Sequence, residues 1–407
     1  MIIAHLRRDT RSLLACSSTS RSWYIAAVPH LRLTLTARTD HSYSAARKKL
    51  EWPKPLRAAS KLGLLPFVTR VFINGGNWFR DEFSSKRFHD WTRREFLGLT
   101  NVRELTIDAL DIPSFMPGIR QYFGQFSPTL RSLTLKEPRG TSRQIVYFIG
   151  LFPRLQDLEF HDSWLCARVN PAGDSTPVPP SVPSLRGRLT ASGFHGKDLA
   201  KTMIDLFGGL RFHHMNLFNV DGTQLLLYGC GNALETLKLQ ATDLCGEELY
   251  PGDVPALAND FTGTHSHRDL DLSRNKSLRE LKITAQSLIR VLRDRAPATI
   301  PSSFRAVLST ITSPVFSDFV VVYQGGDFYN DVYSGNARAE LGDEDTWYHR
   351  QFEVFREMCK ARDYRLVLWA GYAGDDSVRE LKRAVAAEQA KGGLLPQVLM
   401  TYNLGAH

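Results

Sequence analysis

"LRSLTL", residues 130–135, sets Leu130, Leu133 and Leu135 in a fixed order: apolar, two variable, apolar, one variable, apolar. The phrase returns as VRELTI at 102–107, LQDLEF at 155–160, FHHMNL at 212–217, LETLKL at 234–239 and LRELKI at 278–283. A looser version, LRGRL, occupies 185–189. The second and third apolar positions are two apart, so they point to one face of a strand, and the first closes the turn leading in. Counted from these seven starts, the spacings are 28, 25, 30, 27, 22 and 44 residues. Between phrases the apolar spacing turns helical, as at Ile145, Phe148, Ile149 and Phe152 before Pro153. One such unit cannot bury its own apolar face, so the units must stack, and strand-then-helix repeated gives a parallel sheet. Short parallel strands are therefore expected at 105–107, 133–135, 158–160, 215–217, 237–239 and 281–283.

The phrase and its spacing resemble the L-x-x-L-x-L core of leucine-rich repeats, which recur every 20–29 residues or so. That resemblance implies an α/β fold: an irregular leucine-rich-repeat solenoid, a curved parallel sheet with helices on its convex side. The Asn or Cys usual three residues after the last apolar position is absent from all six clean phrases, where Leu110, Pro138, Ser163, Val220, Thr242 and Gln286 stand. The turns must then be satisfied differently, and repeats of variable length are expected. Residues 171–183, PAGDSTPVPPSVP, hold five Pro in thirteen positions and read as a surface loop. Residues 243–276 are polar and Gly/Asp-rich and read as a mobile excursion. Beyond 325 the pattern changes. Phe319–Tyr323 and Arg365–Trp369 read as strands, Trp347, Phe352, Phe355, Met358 and Cys359 as one helical face, and 376–392 as a capped helix. The domains expected are a helical segment at 1–38, a repeat array at 39–325 and an α/β cap at 326–407.

Composition narrows the function classes. A 43% hydrophobic and 23% charged chain of 407 residues is ordinary for globular protein. The net charge of +9 sits at one end: residues 1–58 hold eleven Lys/Arg against Asp9, Asp40 and Glu51. The body is therefore close to neutral and makes no electrostatic claim on nucleic acid. The five Cys (16, 166, 230, 245 and 359) are odd in number and include no CxxC pair, which argues against a disulfide framework or zinc site and for a reducing compartment. No membrane span or secretory signal is expected, and the reading is cytoplasmic or nuclear. The alternative is mitochondrial, because residues 1–38 carry six Arg, many Ser/Thr and a single acid, as transit peptides do.

The opening stretch, LRRDTRSLLACSSTSRSWYIAAVPHLRLTLT, needs its own account, since Trp23 in a short, polar, Arg-flanked helix has to bury against something. It resembles the second half of an F-box: a helix ending in a Cys- or Ser-containing turn, then an Arg-x-Trp helix and a closing Leu. Leu13, Leu14, Cys16, Arg21, Trp23 and Leu31 carry the match. With the repeats behind it, the chain resembles the fungal F-box/leucine-rich-repeat-like proteins. The resemblance implies a substrate receptor of a Skp–cullin–F-box ubiquitin ligase, with Leu13, Leu14, Trp23 and Leu31 docking on the ligase adaptor subunit. An F-box usually opens with a Leu-Pro-x-Glu-Ile-type segment, whereas this sequence starts at Met1-Ile2-Ile3, inside the motif. Two readings follow: a working dock with its first part missing from this sequence, or a relic whose Trp23 packs on the repeats of a plain protein-binding scaffold.

A protein target would lie on the side of the strands opposite the core. Counting along the phrases gives Glu104, Thr106 and Asp108; Ser132, Thr134 and Lys136; Asp157, Glu159 and His161; His214, Asn216 and Phe218; Thr236, Lys238 and Gln240; and Glu280, Lys282 and Thr284. Glu104, Thr106, Thr134, Asp157, Glu159, Asn216, Phe218, Lys238 and Lys282 are the candidate target contacts. Phe218 is the large apolar residue in the set, and aromatics are common interface anchors. The nearest approach to a metal site is the run His265, His267, Asp269 and Asp271, but it sits in a polar insertion beside Arg268 and Arg274 and reads as solvated loop. The acids at 342–347 read as the start of a helix, where negative charge suits the dipole. There is no G-x-S-x-G, P-loop, HExxH or GxGxxG, so no catalytic residue, metal or cofactor is nominated.

Overall fold

The computed structural model describes residues 9–27, 33–37, 63–74, 98–108, 112–116, 118–161, 176–195, 197–240, 270–284, 307–324 and 365–371. The chain divides into two compact units, Met1–Leu210 and Arg211–His407. This boundary falls inside the 39–325 span read as one array.

The first unit opens with helices α1 (Thr10–Thr19) and α2 (Arg21–Ala27). Asp9 caps α1, its carboxylate accepting from the Ser12 backbone N–H at 3.1 Å and the Ser12 hydroxyl at 2.6 Å. These bonds hold the Asp9 carboxyl below its usual pKa. Six parallel strands follow: β1 (Leu33–Ala37), β2 (Val68–Asn74), β3 (Glu104–Asp108), β4 (Ser132–Lys136), β5 (Asp157–His161) and β6 (Arg188–His195). Each pairs with the next in chain order. The second unit has five more parallel strands: β7 (His214–Asp221), β8 (Thr236–Gln240), β9 (Glu280–Thr284), β10 (Asp318–Gln324) and β11 (Arg365–Gly371). They too pair sequentially. The fold is α/β with parallel strands, and all six expected strand positions lie within β3, β4, β5, β7, β8 and β9.

Alternation decides what each strand buries. Leu105 and Ile107, Leu133 and Leu135, and Leu158 and Phe160 are at most 1% exposed, while their odd-numbered or even-numbered neighbours are half-buried or exposed. Met215 and Leu217, Leu237 and Leu239, and Leu281 and Ile283 do the same in the second unit. Behind the first sheet lie α3 (Ile112–Phe115), α4 (Ile119–Phe123), α5 (Ser142–Ile149) and α6 (Lys197–Phe207). Ile145, Phe148, Ile149 and Phe152 are all fully buried, as their helical spacing requires. Phe148 packs edge-on against Phe123 at 5.1 Å and against Phe152 at 5.4 Å. In the second unit α7 (Thr223–Cys230) buries Leu226, Leu227 and Cys230.

The entries to the strands are closed by backbone. The carbonyl of Arg103 accepts from both Arg131 and Ser132, and that of Arg131 accepts from both Gln156 and Asp157. His213, Glu235 and Arg279 carbonyls each receive the paired N–H groups of the next unit in the same way. Hydroxyls add to this, Thr129 donating to the Val102 carbonyl, Ser184 to the Leu155 carbonyl and Ser313 to the Lys276 carbonyl.

Several expectations need correction. Strands β1 and β2 were not expected. VTRVFI, 68–73, is a further copy of the phrase, with Val68, Val71 and Ile73 buried. The loose LRGRL leads into β6 through one extra residue, which Leu185 absorbs at φ +42°. The 243–276 excursion is not polar to its end. Leu270, Leu272 and Asn275 are buried, and Asn275 is the Asn three residues after an apolar position that the six phrases lack. Residues 176–183 form no helix or strand, and Val178 and Val182 are exposed as a surface loop implies. Their tail is nonetheless anchored: Ser181 donates to the Gly150 carbonyl at 2.6 Å, and Pro179 lies so close to Gly150 that a Cβ there would collide with it. The helices expected at 347–359 and 376–392 lie outside the described residues.

Candidate functional site

The outward faces of the strands hold the candidate target contacts in rows fixed by the register. In the first unit Arg70, Glu104, Ser132 and Asp157 make one row, and Phe72, Thr106, Thr134, Glu159 and Thr190 the next. Asn74, Asp108, Lys136, His161 and Ser192 make the third. Glu104 pairs with Arg70 at 2.8 Å, both well exposed, so the contact is worth little in itself. Glu159 is held from both sides: one carboxylate oxygen accepts from the Thr134 hydroxyl at 2.9 Å, and the other is 2.8 Å from His161 Nε2. His161 Nδ1 lies 3.0 Å from the Ser192 hydroxyl, which completes a four-residue polar line across β4, β5 and β6. Asp157 does something else. Its carboxylate accepts from the Arg188 N–H at 2.8 Å and closes the turn into β6.

In the second unit the rows read His214, Thr236, Glu280 and Asp318, then Asn216, Lys238, Lys282 and Val320. Phe218, on β7, is half-buried with the Lys238 ammonium 5.2 Å from its ring centre. Lys282 pairs with Glu280 at 3.0 Å. Burial first, and the charge of Lys282 second, pull the Lys238 ammonium below its usual pKa. Sequence reasoning missed Phe72. It stands on the outward side of β2 with Lys136 6.0 Å from its ring centre, and the overlooked phrase at 68–73 was the signal that would have found it.

The candidate adaptor contacts divide. Leu13 is fully buried in a cluster with Ala27, against which Cys16, Tyr24 and Phe67 pack. It fastens the helical pair to the turn before β2 and offers no surface to a partner. Trp23, expected either to dock on the adaptor or to pack on the repeats, is 39% exposed. The side chain of Leu14 and the whole of Leu31 lie outside the described residues.

Among the described residues no cluster of three or more His, Cys, Asp or Glu could hold a metal ion, and no helix is long and apolar enough to cross a membrane. Of the His/Asp run, His265, His267 and Asp269 lie outside the described residues. Asp271 accepts from the Ser273 N–H at 2.8 Å and the Tyr228 hydroxyl at 3.2 Å, and these bonds hold its pKa low. It is a turn residue. Burial pushes the Cys230 thiol up to about 12, far from a nucleophile at neutral pH. Compared with known proteins, the chain matches no family model and no curated protein.

Proposed function

We propose that this chain is a protein-interaction module: an irregular leucine-rich-repeat-like array that holds a protein target on the outward face of its strands, joined through the Trp23 helices to the adaptor subunit of a Skp–cullin–F-box ubiquitin ligase. The observation that carries the reading is Trp23. A large aromatic held outward on a short helix, whose entry is capped by the Ser20 hydroxyl accepting from the Trp23 N–H at 3.3 Å, is costly to expose and useful to a partner. The strands β3, β4, β5, β8 and β9 support the array, because their apolar residues face one way and leave the other side to charged and polar groups. A second reading, a scaffold with a relic F-box and no ligase attachment, is favoured by Leu13, whose burial against Phe67 spends an F-box residue on internal packing.

The test compares wild type with Trp23→Ala in a direct binding assay with the purified adaptor. Trp23→Ala is expected to weaken adaptor binding by roughly 2 kcal/mol or more while the melting temperature stays put. No adaptor binding by the wild-type chain leaves the scaffold reading. Target contacts are tested apart from this, by comparing target capture in Phe218→Ala and Glu159→Lys with wild type. Full affinity in both would remove the outward face from consideration.

A further inference from the structure

The second unit sets two lysines side by side on its outward face. Lys238 of β8 and Lys282 of β9 are register partners, and Asn216 of β7 partners Lys238 on the other side. All three are half-buried. Neighbouring strands run about 4.8 Å apart, so two ammonium groups on flexible stems reach a single carboxylate between them. Lys282 already has Glu280 at 3.0 Å. Lys238 makes no ion pair among the described residues and lies over Phe218. Its pKa is lowered by burial and then by Lys282, two costs that the attraction of an arriving anion offsets. The carboxylates of Glu280 and Asp318 occupy the neighbouring row, beside His214 and Thr236, and so exclude an anion from that side. What remains is the middle row and the flank that carries Phe218.

We propose that Lys238 and Lys282, with Phe218 beside them, bind an acidic stretch of the protein target. A Glu or Asp carboxylate of the target sits between the two ammonium groups, and an apolar neighbour in the same stretch lies against the exposed part of Phe218. The proposal rests on the reading of the outward face as the target surface and names the chemistry that this part of it selects. An aromatic ring adjoining the paired cations suits a peptide, which carries both kinds of side chain, better than an isolated inorganic anion.

The experiment measures anisotropy of a fluorescent, end-blocked Glu-Glu-Phe-Glu-Glu peptide on the full chain, with Lys-Lys-Phe-Lys-Lys as the control. Wild type is expected to bind the acidic peptide alone, with affinity falling as salt rises. Lys238→Gln and Lys282→Gln each weaken it roughly tenfold, and Lys276→Gln, on the exposed turn before β9, leaves it unchanged. As a readout on the unmutated chain, the acidic peptide slows acetylation of Lys238 and Lys282 relative to Lys276. No binding by wild type, equal binding by all variants, or displacement by inorganic phosphate at the peptide's concentration would overturn the proposal. Failure here, with target capture still lost in Glu159→Lys, would sink this chemistry and leave the outward face standing as the target surface.

Discussion

Asn275 is fully buried and uses its side-chain N–H groups on two carbonyls, Leu227 at 3.1 Å and Gly231 at 2.9 Å. Both belong to the end of α7 and the turn after it: the Leu227 carbonyl also accepts the Gly231 N–H that closes the helix, whereas the Gly231 carbonyl lies past the last intrahelical donor. The residue thus ties 270–278 to an element more than forty positions earlier, an arrangement reinforced by Gln224, whose side chain bonds both the N–H and the carbonyl of Asp271. Asn275→Ala takes one of two donors from the Leu227 carbonyl and strands that of Gly231, and is expected to cost about 1–3 kcal/mol. Asn275→Asp should cost more, because it turns a buried carboxylate toward those same oxygens. Urea midpoints of the two variants against wild type check both the size and the order. An Asp variant as stable as wild type would mean that the side chain is solvated.

At the scale of elements, α5 shows how local chemistry and packing agree. Thr141 accepts from the Gln144 N–H at 3.2 Å while the Gln144 side chain accepts from the Thr141 N–H at 2.9 Å, a reciprocal cap on a helix whose residues 145–149 are buried. Thr141→Ala is expected to lower stability by about 1 kcal/mol and to raise amide exchange in the first turn of α5 before the rest of the helix. The strands were legible in the sequence because the phrase fixes which residues face inward, and six copies leave little room for another period. What escaped did so for physical reasons. The copy at 68–73 follows Pro66, and the β6 copy is one residue longer, absorbed by backbone at Leu185 that no hydrophobic pattern records. Leu270 and Leu272 are buried but lie in no strand, so no repeated phrase marks them in an insertion that reads as polar. The candidate site was legible only as a list of outward positions. That Asp157 closes a turn and Glu159 is bonded on both sides depends on Arg188, Thr134 and His161, which are distant in sequence or chosen by rotamer.

Within each unit every strand pairs with its chain neighbours in that unit. At β4, β5, β8, β9 and β10 the paired N–H groups that enter the strand bond a carbonyl just ahead of the preceding one. Loss of packing at one strand should therefore spread along the ladder and fade with each step. Leu133, fully buried in β4, provides the test within the first unit. Its register partners are Leu105 in β3 and Leu158 in β5, both buried, and the Arg131 carbonyl before it receives the N–H groups of Gln156 and Asp157. Leu133→Ala is expected to cost roughly 2–5 kcal/mol. Amide exchange should rise most in β3, β4 and β5, less in β2, and least in β1. The gradient separates two accounts of the same stability loss. A core shared by all six strands would open as one, with equal increases from β1 to β6 at low denaturant. Sequential stacking gives the graded pattern centred on β4, because the entropy of ordering each unit is offset chiefly by the face it shares with the next.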